Sequence, residues 1–286
     1  MKIPLDIIGD IAILKFPKEY TKKQKINYAK EFLEEHKNIK TILEKTSKIK
    51  GRLRIAETKF LAGENKKQTT YVENGCRFKL DVDKTYFSSR LGNHRLEVAN
   101  EISNKIKKNQ NIIVMFAGVA PLPITLAKIL KQNNKLDNIK IISEEINKEA
   151  SKYAIENVKL NKFQDNIQVV QCDAKKLPEK LKKLNLHIAE RKADNIKGRL
   201  NVKGTLVPLR YDFIFMARPN LKETFLNPAI KISKKSTIIY YHGFGTKEEV
   251  IKEVTPFQKK LKIISMKPAG EIGPHRYRWL VKFKVR

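Results

Sequence analysis

The sequence has little cysteine and no long apolar run, and both absences narrow what the chain can be. Only Cys76 and Cys172 are present among 286 residues. Two thiols far apart in the chain support neither a disulfide framework nor a zinc site, so we predict no metal site and a reducing, cytoplasmic location. No apolar stretch approaches the roughly 20 residues that span a bilayer. Asp6 and Asp10 interrupt the first apolar run, which is untypical of a signal peptide.

Acidic residues are scarce relative to basic ones. Lys and Arg total 60 against 30 acidic residues, which gives a net charge of +30 and an isoelectric point near 10.0. Such a field attracts polyanions, and binding to nucleic acid releases condensed counterions. An AT-rich genome also favours lysine, but it does not account for the twofold excess of basic over acidic residues. The charge therefore favours a nucleic-acid partner.

The chain lacks internal repeats and low-complexity linkers. A change in the spacing of its apolar residues divides it into two regions. The apolar run over residues 7–14 predicts one strand, and the apolar residues within 21–46 have the spacing of a helix. Residues 52–81 alternate in short stretches with turn signals between them. We therefore predict a small α+β domain over residues 1–84.

A different pattern begins near residue 95. Continuous apolar runs, as in buried parallel strands, alternate with helical patterns. Such alternation predicts a parallel, doubly wound α/β sheet. We assign residues 85–286 to this Rossmann-like domain, with a helix over 177–184. The basic stretch 185–210 fits neither pattern and is predicted to be an insertion or a long loop.

Ligands of open α/β sheets bind at the carboxyl ends of the strands. The first strand of the second domain is followed by Phe116-Ala117-Gly118, where small residues allow a ligand close to the backbone. The sequence lacks a G-x-G-x-x-G motif, which disfavours a dinucleotide and allows a smaller nucleoside cofactor.

Acidic residues follow the next two strands. Glu145 with Ile146 stands where a carboxylate accepts hydrogen bonds from ribose hydroxyls. Asp173 with Ala174 follows the third strand, where a carboxylate can reach either an adenine edge or a substrate proton. Taken in order, these strand ends predict a cofactor site for S-adenosylmethionine in a Rossmann-like methyltransferase.

The most specific motif runs from Phe78 to Arg95, with the sequence FKLDVDKTYFSSRLGNHR. It resembles the signature of the archaeal and eukaryotic tRNA (guanine-37-N1)-methyltransferases and their wyosine-pathway relatives. Shorter segments match the same family: AGENK (62–66), ENGCRF (73–78), MFAGVAP (115–121), EIN (145–147) and NVKLN (157–161). The similarity spans nearly the whole chain.

The resemblance implies roles for individual residues. It places Arg90 beside the target base and makes Asp173 the candidate general base. It also implies a cofactor pocket lined by Arg95, Phe116, Gly118 and Glu145. The first domain is implied to help hold the anticodon stem and loop of tRNA. Such a base removes the proton from guanine N1, while a cation stabilises negative charge on O6.

One motif departs from the family. Members of the family have Asn-Leu-Pro after the fourth strand of the catalytic domain, whereas this chain has Ala217-Arg218-Pro219. Pro219 remains to shape the base pocket, but the Asn amide that can bond cofactor and base is lost. Such a change suits an altered or broadened substrate. We assign no catalytic role to His94 or His242, which are interpreted as structural histidines.

The resemblance therefore implies an enzyme that transfers a methyl group from S-adenosylmethionine to N1 of guanosine 37 in tRNA. An alternative is methylation of C7 of the tricyclic wyosine precursor (4-demethylwyosine) at the same position, alone or in addition. A more remote alternative is a non-catalytic RNA-binding protein. The resemblance also implies a monomer.

Overall fold

A computed structural model describes residues 3–47, 51–196 and 206–286, with the backbone alone for 187–196. The strands are β1 (Leu5–Ile8), β2 (Ile11–Leu14), β3 (Thr41–Lys45), β4 (Thr58–Gly63), β5 (Gln68–Glu73), β6 (Cys76–Asp81), β7 (Asn111–Met115), β8 (Lys140–Glu145), β9 (Ile167–Gln171), β10 (Tyr211–Met216), β11 (Ser233–Gly245), β12 (Leu261–Gly273) and β13 (Arg276–Val285). The α-helices are α1 (Lys22–Glu35), α2 (Gly92–Lys105), α3 (Pro121–Gln132), α4 (Lys148–Leu160), α5 (Leu177–Ile196), α6 (Leu226–Lys231) and α7 (Lys247–Val254).

The N-terminal sheet has the order β1-β2-β3-β4. The single strand predicted over 7–14 is wrong, because the chain reverses at Gly9 and Asp10 into an antiparallel hairpin. Gly9 has φ of +59°, and a Cβ there would lie 2.1 Å from the Thr69 hydroxyl, so the turn requires glycine.

The helix predicted over 21–46 is also wrong in its second half. Helix α1 begins at the capping box of Thr21 and Gln24 and ends at Glu35. Residues 41–45 form β3, which pairs in parallel with β2. The apolar residues of this stretch fit a helical period and a buried strand equally well, and pairing with β2 decides between them.

The hairpin of β5 and β6 lies between the two larger sheets. Asn157 on α4 joins it to the second sheet: its Oδ1 accepts from the Lys79 amide (2.7 Å) and its Nδ2 donates to the Lys79 carbonyl (3.0 Å). The division of the chain at residues 84 and 85 stays a prediction.

The seven-stranded sheet has the order β9-β8-β7-β10-β11-β13-β12. Strands β7 to β11 are parallel, and β13 runs antiparallel to both of its neighbours. This order reverses direction at β7, so the carboxyl ends of β7, β8 and β10 meet at a switch point. The predicted Rossmann-like α/β fold is confirmed.

Two further sequence expectations concern the ends of this domain. Helix α5 continues to Ile196 instead of ending at 184, so the first part of the predicted 185–210 insertion is helical. Residues 197–205 of that stretch lie outside the described residues. Among the described helices, none is long and apolar enough to cross a membrane.

Candidate active site

The turn after β7 has an unusual backbone. Phe116, Gly118 and Ala120 have φ values of 60°, 59° and 65°, in the left-handed region. Two carboxylates at the end of β8, those of Glu144 and Glu145, accept hydrogen bonds from the backbone of this turn. The Phe116 amide donates to Glu144 Oε2 (3.0 Å), and the Gly118 amide donates to Glu145 Oε2 (2.8 Å). Consecutive glutamates thus fix both ends of the turn.

Glu145 faces the switch point with its carboxylate held in place. Its Oε1 accepts from the Asn147 amide at 2.7 Å, and the Asn147 side chain caps α4. Burial raises the pKa of Glu145, whereas the hydrogen bonds from the Asn147 and Gly118 amides oppose that rise. The carboxylate is preorganised where the sequence predicts ribose binding.

Glu144 is fully buried, and sequence reasoning missed it. Burial, and then the charge of Glu145, raise the pKa of Glu144 well above its ordinary value. Cys172 Sγ lies 4.0 Å from its Oε1. Burial therefore favours the protonated form of Glu144, whose other oxygen accepts the hydrogen bond from the turn.

A cavity of about 950 Å³, part of it open to solvent, is lined in part by the 116–118 turn. Of the residues that the sequence assigns to the cofactor or the base, those that line it are Arg95, Phe116, Gly118, Glu145, Ile146 and Pro219. Ala174 lines an adjoining small cavity of about 220 Å³ together with Phe116, Ile146 and Pro219. Most of the predicted site residues therefore meet at one place.

Arg95 is buried at the edge of this cavity and bound to Glu73. Its Nε donates to Glu73 Oε1 at 2.6 Å, and its Nη2 contacts the second carboxylate oxygen. The same guanidinium donates to the Ser88 carbonyl at 2.9 Å. Since both partners are buried, the pair holds residues 86–95 against β5.

Arg90 and Asp173 are not brought together. Arg90 is 73% exposed, donates to Asp6 Oδ1 at 2.7 Å, and lines a different cavity. Asp173 accepts from Arg52 (2.8 Å), which lines the main cavity, and from the Lys175 amide (3.0 Å). Burial raises the pKa of Asp173, but the bonds from Lys175 and Arg52 outweigh it and lower the pKa overall. The catalytic roles of Arg90, Asp173 and Pro219 stay predictions.

Arg54 is a cavity residue that the sequence did not indicate. Its guanidinium carbon lies 3.5 Å from the centroid of the Tyr86 ring. It lines both the main cavity and the cavity that contains Arg90. Burial lowers the pKa of Arg54, which still leaves it cationic at neutral pH. Arg54 follows no periodic pattern, so sequence reasoning had no signal for it.

His94 and His242 form a second unpredicted feature. Their Nε2 atoms lie 3.0 Å apart, and both residues line the main cavity. Burial lowers the pKa of His94 to about 4 and that of His242 well below its ordinary range. Both rings are therefore neutral at pH 7, and one Nε2 donates to the other. The position of His94 inside the 78–95 motif was the available signal.

The structure explains why the Ala217-Arg218-Pro219 motif contains an arginine. Arg218 is 1% exposed and pairs with Glu253 on α7. Its guanidinium also donates to the carbonyls of His242, Leu221 and Glu223. These contacts occupy Arg218 and stabilise the loop that carries Pro219. Ala217 lines the cavity without a polar side chain.

Comparison with known proteins agrees with this geometry. The model of the TYW2 N-terminal domain matches residues 5–66, and that of the TRM5/TYW2 methyltransferase domain matches residues 69–197. The chain also resembles a solved complex described as that of aTrm5 and tRNALeu, with a TM-score of 0.75 and 25% identity, covering 99% of this chain and 72% of that one.

Two named relatives show the same similarity in sequence. A protein of Pyrococcus abyssi named tRNA (guanine(37)-N(1))-methyltransferase Trm5b is 32% identical over 98% of this chain and 74% of its own length. A Nanoarchaeum equitans protein named tRNA (guanine(37)-N(1))/4-demethylwyosine(37)-methyltransferase Taw22 is 34% identical over 96% of both chains. Because similarity of this degree extends along nearly the whole chain, the protein belongs to the TRM5/TYW2 methyltransferase family.

Proposed function

We propose that this protein transfers a methyl group from S-adenosylmethionine to N1 of guanosine 37 in tRNA. The observation that carries the proposal is one cavity lined by two sets of residues. Glu145 and the 116–118 turn form the set that we call the cofactor end, because a nucleoside cofactor fits there, and Arg54, His94 and Pro219 line the same cavity. A donor and an extruded base can meet there, as base-modifying enzymes require.

The cofactor end suits S-adenosylmethionine. Glu145 supplies a carboxylate for the ribose hydroxyls, and Gly118, with φ of +59°, leaves the backbone at that point without a side chain. Bound there, S-adenosylmethionine supplies a methyl group on a positively charged sulfur. The protein has to align that methyl group with the base and exclude water.

The other lining residues suit the base chemistry. Arg54 carries the positive charge that stabilises the O6 of a guanine losing its N1 proton. The neutral His94 would accept that proton, and the electron pair left on N1 would form the new bond to the methyl carbon as the carbon–sulfur bond breaks and its electron pair goes to sulfur. Asp173, the base implied by the resemblance, remains the alternative acceptor.

Charge and relatives support tRNA as the partner. A net charge of +30 favours phosphate contacts, and the two relatives described above are named for methylation at position 37 of tRNA. Binding of the anticodon stem and loop by residues 1–84, a monomeric state and a cytoplasmic location stay predictions.

Label transfer tests the proposal. Purified protein with radiolabelled S-adenosylmethionine should methylate an unmodified tRNA transcript, and a matched transcript with adenosine at position 37 should receive no label. Equal labelling of both transcripts would refute the position. Binding of tRNA without label transfer to either transcript would favour the non-catalytic reading.

A second activity is favoured by two observations. The Nanoarchaeum equitans relative, matched over 96% of its length, is named for both guanine and 4-demethylwyosine substrates. Ala217 takes the place of the family's Asn and leaves that part of the cavity without an amide. Methylation of the C7 carbon of the wyosine precursor replaces the hydrogen on that carbon, so this reaction also releases a proton, after the new carbon–carbon bond has formed. We therefore keep C7 methylation as a further candidate activity.

A further inference from the structure

The first cavity, the one of about 950 Å³ that contains the cofactor end, is lined by more positive than negative charge. Glu145 is the one carboxylate among its described lining residues. The arginines that line it are Arg52, Arg54, Arg95, Arg218 and Arg278. A partly enclosed site with an excess of one sign of charge attracts a ligand of the opposite sign.

The five arginines differ in whether a carboxylate already pairs with them. Three have such partners: Arg52 pairs with Asp173, Arg95 with Glu73 and Arg218 with Glu253. Arg54 and Arg278 have no carboxylate partner among the residues that the structure describes. Arg54 stacks on Tyr86 and is assigned above to the O6 atom of the base. Arg278 is therefore the lining cation that still lacks a role.

Arg278 lies on β13 opposite Phe244 of β11. Its guanidinium carbon lies 5.6 Å from the centroid of the Phe244 ring. A guanidinium held over an aromatic ring keeps the donors along its edges available for a planar, two-pronged contact with an anion. The side chain is half-buried, so an anion from solvent can reach it.

The charges around Arg278 favour such an anion. Burial lowers the pKa of Arg278, Tyr86 opposes this change, and the charges of Arg54 and Arg95 lower the pKa further. The side chain keeps its charge at neutral pH, because arginine is not deprotonated in proteins. Cations that repel each other in a partly buried site are stabilised when an anion binds beside them.

The position of Arg278 in the sheet indicates which substrate supplies the anion. Strands β7, β10 and β11 separate β8, which ends at Glu145, from β13. Because neighbouring strands lie about 4.8 Å apart, the backbone of Arg278 is roughly 19 Å from the strand that carries the ribose site. This side of the cavity is left for the RNA. A base that is extruded turns about the backbone, so the phosphates that flank it come to the cavity with it.

We propose that Arg278 binds a backbone phosphate that flanks the target nucleotide of the RNA. This inference rests on the proposed function, because it presumes that the target base occupies the first cavity. Paired hydrogen bonds from the guanidinium to two phosphate oxygens fix both the distance and the direction of that phosphate. Arg278 is then a positioning residue, which places the base before Arg54 without touching the reacting atoms.

Arg278→Gln removes the charge and keeps a polar side chain. We expect KM for tRNA to rise about tenfold, as for the loss of one charge-assisted hydrogen bond. The slope of log Kd for tRNA against log salt concentration should decrease by about 0.7, since one phosphate contact is lost. The kcat value and the affinity for S-adenosylmethionine should stay close to wild type.

Arg276→Gln is the matched control. Arg276 is exposed on the same strand, pairs with Glu249 and does not line the cavity, and its replacement removes the same single charge. KM and the salt dependence should stay close to wild type. Equal effects of the two variants would show that only the overall charge matters, which would overturn the inference. So would weaker binding of S-adenosylmethionine by Arg278→Gln with an unchanged KM for tRNA, because Arg278 would then bind the carboxylate of the cofactor.

A change in the RNA tests the same contact without depending on the folding of a variant. A neutral methylphosphonate replaces the phosphate on the 5′ side or on the 3′ side of nucleotide 37 in otherwise matched transcripts. At one of the two linkages it should raise the wild-type KM about tenfold and have no further effect in Arg278→Gln, because both changes remove one contact.

Wild-type KM values unchanged by both neutral linkages, or additive effects of each linkage with Arg278→Gln, would overturn the inference. Normal methylation of guanosine 37 in either outcome would leave the proposed function standing. Absence of methylation from the transcript with all its phosphates would instead refute the function itself.

Discussion

Arg54 stacks on Tyr86, with its guanidinium carbon 3.5 Å from the ring centroid, in the wall between two cavities. Planar stacking fixes the orientation of a guanidinium more firmly than that of an ammonium group. The stack therefore presents a fixed positive charge to the first cavity. This relationship, which the sequence did not indicate, suggests which cation stabilises the reacting base.

Arg54→Ala should lower kcat by about 10²–10³, the cost of losing one oriented donor to a developing negative charge. Arg54→Lys should give an intermediate rate, because it keeps the charge and loses the stacked plane. Single-turnover methylation with saturating tRNA measures both. A wild-type rate in Arg54→Ala would show that the charge on O6 is stabilised elsewhere.

His94 and Asp173 are competing proton acceptors, and conservative variants separate them. We expect His94→Gln to lose about 10²–10⁴ in the rate of N1 methylation, while Asp173→Asn affects cofactor affinity more than the chemical step. Because His94 titrates at about pH 4, the wild-type rate should be flat at neutral pH and fall only as pH drops toward that value. The opposite pattern in the two variants would assign the proton to Asp173.

Glu144 should act as a neutral hydrogen-bond acceptor for the 116–118 turn. Glu144→Gln keeps an oxygen for the Phe116 amide, so S-adenosylmethionine should bind it nearly as it binds wild type. Glu144→Leu leaves that amide unpaired, which typically costs about 1–3 kcal/mol, and should weaken cofactor binding. Calorimetric titration of both variants checks this. Weak binding by Glu144→Gln would mean that an ionised carboxylate is required.

The raised pKa of Glu144 also predicts a pH dependence of stability. Above its unfolded-state pKa, near 4.5, the unfolded chain releases this proton while the folded chain keeps it. The free energy of unfolding of wild type therefore falls, relative to Glu144→Gln, by up to about 1.4 kcal/mol per pH unit until the folded-state pKa is reached. Denaturant melts of both proteins from pH 4 upward measure the difference. A constant difference would contradict the assignment.

The buried pair of Arg95 and Glu73 should be a large contributor to stability. Glu73→Ala leaves a buried guanidinium without its partner, so we expect a loss of about 3–5 kcal/mol in the free energy of unfolding. Glu97→Ala, which removes the exposed partner of Lys267, is the control and should change little. Thermal or urea denaturation measures both. Equal effects of the two variants would show that burial of the Arg95 pair adds nothing.

The sheet and the cofactor end were predictable because each has a local signal. Buried parallel strands are continuous apolar runs, and Glu145 follows one directly. The rest of the site consists of residues that are far apart in the sequence and that only the tertiary structure brings together. Arg54 and Tyr86 lie far apart in the sequence, and Arg90 is directed to Asp6 by the packing of the N-terminal sheet. Local patterns do not encode such contacts, nor do they distinguish a helix from a strand at 39–43.

Nucleoside mass spectrometry after methylation tests the central claim most directly. Transcripts with guanosine 37 and tRNA bearing the wyosine precursor are each incubated with the protein and S-adenosylmethionine, then digested to nucleosides. The account predicts 1-methylguanosine from the first substrate, with a C7-methylated product from the second if the cavity also accepts the tricyclic base. Unmethylated guanosine 37, with tRNA and cofactor both bound, would contradict it.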